Sequence, residues 1–225
     1  MKKIEELGRL MCIPADASKD DVKMRFVQIA EIIKNYCVIK FKNQKYRILD
    51  FEFYFYNRHH RDISVHPRKS DALCWYFNDF GGIDLNFKSD IDKEADNSLK
   101  YRLTENSYFG GILIRQIQNI KDGMVFDGPW KVAELFRVIN ATSQKQENPI
   151  LRMEHLEPIP FMEPQKRCNL LGSHKGTDTE KAKAKADNNL KASFVGYSES
   201  DMIELEKQLV HFSECEYRYC WVKPK

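Results

Sequence analysis

Between Tyr46 and Tyr56 the chain alternates: Phe51, Phe53 and Phe55 at odd positions, Asp50, Glu52 and Tyr54 at even ones. A period of two predicts a strand with an all-phenylalanine core face and an Asp–Glu–Tyr face behind it. Two carboxylates on one strand face cost like-charge repulsion. Two readings stay open: a solvent-facing strand with ordinary charges, or a site that needs a carboxylate beside an aromatic platform.

The flanking pattern supplies the other elements. Val22, Phe26, Ile29 and Ile33 form a helical stripe, with Asp16 or Ser18 as N-cap and an end near Asn35. Tyr36–Phe41 predicts a strand, and residues 42–45 a turn. Asn57–Lys69 predicts a basic loop holding Arg58, Arg61, Arg68, Lys69, His59, His60 and His66. Leu73–Phe80 and Ile83–Phe87 predict strands on either side of Gly81–Gly82. Asp90–Asn106 reads as a polar excursion, and Tyr108–Ile117 as a buried strand entered through Gly110–Gly111.

Asp127–Pro129 predicts a turn leading into a helix from Trp130 to about Asn140. Pro149–Arg167 is proline-rich and extended. Residues 172–197 form a lysine-rich insertion, either a solvated helix or a mobile loop. Ser198 or Ser200 caps a last helix with Met202, Leu205 and Leu209 inside, and Glu216–Val222 closes the chain as a strand. No repeat is present and no βαβ rhythm. The expectation is one α+β domain over 1–225, a curved, mostly antiparallel sheet flanked by helices, with 1–45 as an N-terminal helix and strand.

Composition changes this picture little. The chain has 225 residues, net charge +3 and 31% charged residues, which tolerates a polyanionic partner without demanding one. Six cysteines with no CxxC pair read as reduced packing residues of a cytosolic protein. Met1–Leu10 lacks the apolar core of a secretion signal, and no run is long enough to span a membrane. The expected setting is therefore cytoplasmic and away from membranes, as a monomer with no obligate protein partner. HxH and HExxH spacings are absent, so no metal is expected; no dinucleotide or phosphate-loop motif is present, so no cofactor is expected.

Glu52 is the first candidate for chemistry, since a carboxylate among aromatics can activate water or stabilise an oxocarbenium-like centre. Asp50 reads as a supporting carboxylate. Arg115 sits in Gly111–Ile117, and alternation places it with Leu113 and Ile117. A guanidinium among apolar residues needs a partner such as Glu52 if buried, or solvent if the strand is an edge. His66 precedes Pro67 and is placed to enter a pocket. Tyr76, Phe77 and Phe80, just before a glycine pair, suit base stacking or duplex wedging as well as core packing.

These pieces occur in an order that resembles the alkyladenine (3-methyladenine) DNA glycosylase family. Asp50-Phe51-Glu52-Phe53-Tyr54 is similar to that family's E-x-E-A-Y strand, and His66 to the histidine after it. Leu73–Asn86 resembles the L-Y-V-Y-x-x-Y-G…N hairpin and Gly111–Arg115 the V-L-L/I-R strand. Asp127–Lys131 resembles the S/N-G-P-x-K/R helix start, and Tyr217–Val222 the closing W-R-F-Y-V strand. The resemblance spans about Tyr46 to Lys223, interrupted by the lysine-rich insertion.

The resemblance implies that Glu52 is the general base, with Arg115 and Asn86 helping to hold the attacking water. Tyr54, His66 and Tyr76 would surround a base flipped out of double-stranded DNA, and Phe80 would fill the gap it leaves. Arg58, Arg68, Lys69 and Lys131 are expected against the DNA backbone. No lysine is required, so a monofunctional hydrolysis of the N-glycosidic bond is implied. Phe53 stands where the family has alanine, and Phe80 where it has tyrosine. Two other readings remain: a non-catalytic nucleic-acid-binding relative of the same fold, and a hydrolase of free modified nucleosides.

Overall fold

A computed structural model describes residues 3–78, 81–95, 99–137, 148–168, 170–171 and 176–222. The chain opens with helix α1 (Lys3–Leu10) and then α2 (Lys19–Tyr36). Ser18 starts α2 with a reciprocal cap: its hydroxyl accepts from the Asp21 N–H, and the Asp21 carboxylate accepts from the Ser18 N–H. A hairpin of β1 (Cys37–Phe41) and β2 (Gln44–Tyr56) follows, turning at Lys42–Asn43.

Next come β3 (Trp75–Phe77), β4 (Ile83–Asn86), β5 (Asp92–Lys93), β6 (Tyr101–Arg102) and β7 (Phe109–Asn119). Then follow β8 (Val125–Asp127), α3 (Pro129–Phe136) and β9 (Ile150–Met153). The chain ends in α4 (Asp178–Ser193), β10 (Phe194–Val195), α5 (Glu199–Glu214) and β11 (Arg218–Cys220).

The main sheet runs β3-β4-β7-β2-β1-β9, and every pairing in it is antiparallel. β2 is long enough to hold two partners on one edge. β1 takes its first half and β11 takes Asp50–Glu52. β7 divides its outer edge in the same way between β8 and β4. The sheet therefore curls into a half-barrel, and the fold is α+β.

The phenylalanine face is the core face, as the alternation predicts. Phe51, Phe53 and Phe55 are fully buried, and Phe26 of α2 stacks on Phe53 at 4.4 Å. Burying each such ring contributes about 1.5–3 kcal/mol. A register slip by one would exchange these rings for Asp50 and Glu52.

Several expectations need correction. The strand expected over Leu73–Phe80 is short, Trp75–Phe77. The Asp90–Asn106 excursion supplies β5 and β6, which pair with each other, and β6 pairs with β10 to complete a second sheet. The helix after Pro129 ends at Phe136 among the described residues; the rest of its expected span lies outside them.

Of the lysine-rich insertion, Asp178–Ser193 is a helix and not a loop, capped reciprocally by Thr177 and Glu180. It packs through Ala182, Ala186 and Leu190, a one-sided stripe at i, i+4 and i+8. All six cysteines are free, but only Cys37, Cys215 and Cys220 are buried; Cys12 and Cys74 are exposed. Among the described residues no helix is long and apolar enough to cross a membrane.

Candidate active site

The register between β2 and β7 shifts twice, between Ile48 and Asp50 and between Asp50 and Phe51. Ile48 pairs with Ile117, Asp50 with Gln116 and Phe51 with Ile114, so Leu49 and Arg115 are each passed over. Ile117, Ile48 and Ile114 belong to the core. Arg115 therefore does not share a face with Ile117, as strict alternation would have it. Arg115 stays with Leu113 on the face of the β2 carboxylates, and the irregularity sends Ile117 to the core instead.

The solvent-facing reading of β2 is overturned as well. Glu52 is fully buried and Asp50 is 6% exposed. Their mutual repulsion is offset by two arginines. Arg115 Nη1 reaches Glu52 Oε2 at 3.2 Å, and its Nε lies 4.0 Å from Asp50 Oδ2. Arg218 on β11 donates from Nε to Asp50 Oδ1 at 3.0 Å and lies 3.9 Å from Glu52 Oε1. Buried charges of this kind persist because each is paired and hydrogen-bonded.

Glu52 has two further donors. The Tyr54 hydroxyl donates to Oε2 at 2.7 Å, and the Cys168 backbone N–H donates to Oε1 at 2.7 Å. Burial, and then the Glu52 charge, push the Tyr54 phenol well above its usual pKa, so it remains a neutral donor. Arg218 Nη1 also points at Cys168 Sγ, at 2.7 Å. The carbonyl of Arg115 accepts from the Gly128 N–H at 2.9 Å. Gly128 holds φ +103°, which favours glycine at this turn into α3.

A second polar cluster lies two strands away. Glu52 and Asp84 both pair with Leu113, and Tyr76 pairs with Asp84, so these residues form one cross-sheet row. Arg68 crosses that face: Nη2 bonds Asp84 at 3.0 Å, Nε bonds Asn86 Oδ1 at 2.7 Å, and its guanidinium covers the Tyr76 ring at 4.4 Å. Gly111 makes room for it, since a Cβ there would sit 2.1 Å from Arg68 Nη2. Burial pushes the Asp84 carboxyl above its usual range, against the pull of Arg68 and then of His66, whose carbonyl accepts from Arg68 Nη1 at 3.1 Å.

The expected site residues thus separate into groups. Glu52, Tyr54 and Arg115 are in mutual contact. Asn86, His66 and Tyr76 gather around Arg68 and Asp84, and the Asn86 side chain is engaged with Arg68 and Ser70. Arg68 is corrected from a DNA-backbone residue to a buried one: it is 5% exposed, with its donors committed inside. Arg58, Lys69 and Lys131 are exposed; Arg58 contacts His59, and Lys69 pairs with Asp90 at 2.7 Å. Phe80 lies outside the described residues.

Pattern reading missed what covers the site. Arg167 is fully buried at its side chain, pairs with Asp62 at 2.6 Å and lies over the Tyr54 ring at 4.6 Å. It also donates to the carbonyls of Phe53 and Phe212, at 3.2 and 3.0 Å. The signal available for it was weak: a charge at the end of an extended segment without periodicity. Lys185 of α4 was also missed. Burial lowers its amine pKa to about 8; Arg167 works in the same direction, while Asp62 and Glu52 oppose it. Clefts of about 610, 500 and 430 Å3 open elsewhere, the second between Arg58, Arg61, Thr104 and Tyr197.

No family model matches this chain, and no solved structure matches it. An uncharacterised protein of Acanthamoeba polyphaga mimivirus is 31% identical over 115 residues, covering 46% of this chain and 52% of that protein. The chain therefore spans about half the length of that relative.

Proposed function

We propose that this protein is a DNA glycosylase of the alkyladenine type, which hydrolyses the N-glycosidic bond of a modified base flipped from double-stranded DNA. The observation that carries this reading is the clamp on Glu52 Oε2, made by the Tyr54 hydroxyl at 2.7 Å and the Arg115 guanidinium at 3.2 Å. It joins the two strand motifs that resemble the family's. The whole-chain setting goes with it: a monomer in the cytoplasm, acting without metal or cofactor.

In the reaction a water oxygen bonds to the sugar C1′ as the C1′–N bond breaks. The electron pair leaves on the base nitrogen, and Glu52 takes the water proton. Tyr54 and Arg115 fix the orientation of the carboxylate, which also faces the positive charge developing on the sugar. Because Glu52 is fully buried, a substrate reaches it only after the segment at Arg167–Cys168 withdraws.

The test is base release. Duplex DNA carrying methylated purines, deaminated purines or bulky modified pyrimidines is incubated with the protein, and abasic sites are scored by alkaline cleavage. Glu52→Gln, which keeps shape but removes the charge, should lower the rate about 10²–10⁴-fold. Undiminished release by Glu52→Gln would sink the assignment.

One observation favours a second reading, a non-catalytic nucleic-acid-binding protein of the same fold. Arg167 already occupies the Tyr54 face, and Cys168 already donates to Glu52. Salt-sensitive duplex binding with no product from any substrate would select it.

A further inference from the structure

We infer that Lys185 is a second nucleophile at this site, an amine that captures the open-chain aldehyde of an abasic deoxyribose as a Schiff base. The inference rests on the glycosylase reading only for the source of that aldehyde.

The placement comes from α4. Its inner side is set by Ala182 and Ala186, both fully buried, and Lys185 flanks that stripe, half-buried. Asn189, one turn further on, fastens the helix to the loop after Asp62 by donating to the Ile63 carbonyl at 3.1 Å. Lys185 Nζ is turned to the Leu170 carbonyl, two residues beyond the Cys168 N–H that holds Glu52. The charges of Asp62, Arg167 and Glu52 all act on this amine.

Its helix neighbours behave differently. Lys181 and Lys191 pair with Asp178 and Asp187 along the helix, at 3.4 and 2.8 Å. Among the described residues Lys185 pairs with no carboxylate. Burial, with the Arg167 charge as a lesser cause, brings its pKa down to about 8, so a larger share of the amine is neutral near neutral pH than in a solvated lysine, and that share is nucleophilic. A lysine serving only as a solvated charge gains nothing from this position.

The chemistry balances without a further reactant. The Nζ lone pair adds to the aldehyde carbon C1′ and an amine proton passes to the former carbonyl oxygen; that hydroxyl takes a second proton from solvent and leaves as water, giving the iminium. Loss of the C2′ proton to solvent then expels the 3′ phosphate with the C3′–O electron pair, cutting the strand.

The experiment uses the full chain and a duplex with a preformed abasic site, in the presence of borohydride, whose hydride reduces the iminium to a stable secondary amine. The expected result is a covalent protein–DNA adduct that maps by peptide mass to Lys185. It should be lost in Lys185→Met and kept in Lys183→Met. No adduct with the unaltered protein, or an adduct mapping to another lysine, overturns the proposal even if Lys185→Met fails to fold. Because the site is abasic from the start, failure to release bases from modified DNA would count against the glycosylase reading alone.

Discussion

Arg167 lies over the ring of Tyr54, guanidinium carbon 4.6 Å from the ring centroid, and is tied at 2.6 Å to Asp62. Neither charged side chain of the Asp62–Arg167 pair has any exposed surface. Removing one partner leaves the other buried and uncompensated. Asp62→Ala is expected to cost about 3–5 kcal/mol of unfolding free energy. Urea unfolding followed by fluorescence measures it. A loss no larger than for an exposed pair such as Lys69–Asp90 would mean that water reaches Arg167 in solution.

The same corner sets a pH dependence. His60 is buried against Phe212 and Tyr217, bonds the Phe55 carbonyl at 2.7 Å and the Tyr217 hydroxyl at 3.0 Å, and faces Asp62 and Arg167. Burial first, with Arg167 as a lesser cause, drops its pKa from 6.5 to about 4, against the pull of Asp62. The unfolded chain binds the proton near 6.5 and the folded chain only near 4, so stability is full above 6.5, falls as pH drops, and is lost by about 4.

The drop across that window is about 3 kcal/mol. Asp62 adds to it at the acid end. Burial opposes its charge, but Arg167 and His60 outweigh that and hold its pKa below the usual value. His60→Gln should flatten the melting temperature between pH 6.5 and 4. An unchanged acid slope would assign the effect to other groups.

Gly111 offers a packing test. A methyl group there would meet Arg68 Nη2 at 2.1 Å and the Asp84 Cβ at 3.1 Å. Gly111→Ala must displace the guanidinium from Asp84, and overpacking of this kind costs about 1–3 kcal/mol. Differential scanning calorimetry reads the loss. If Arg68 is the obstacle, Gly111→Ala combined with Arg68→Ala should show less than the sum of the separate costs.

How far the sequence foretold this site depends on the distance along the chain over which each contact forms. The Phe51–Phe53–Phe55 core face and the Asp50–Glu52–Tyr54 face are local, and alternation gives both. Arg115 could be named as needing a partner, because a permanent charge inside Ile112–Ile117 is a conflict visible in the sequence. The double register shift that parts it from Ile117 was not legible, since it depends on how two strands meet. Asp62 and Arg167 are 105 residues apart and belong to a loop and an extended segment without periodicity. Lys185 was obscured differently: alanines carry the inner stripe of α4, so the hydrophobic contrast that marks a buried helix face is faint there.

The last test separates the two functions of Tyr54. Its hydroxyl holds Glu52 at 2.7 Å, while its ring carries Arg167 and, in the proposed reaction, would face a flipped base. Tyr54→Phe removes only the donor. Glu52 keeps Arg115 and the Cys168 N–H, so the stability cost should be about 1 kcal/mol. Single-turnover base release should nevertheless slow, because the carboxylate loses the neutral donor that fixes its angle, while duplex affinity stays near that of the unaltered protein. Tyr54→Ala should lose stability and release together, since Arg167 then has no ring beneath it. Equal release rates for Tyr54→Phe and the unaltered protein would show that Arg115 and the Cys168 N–H orient Glu52 without the phenol.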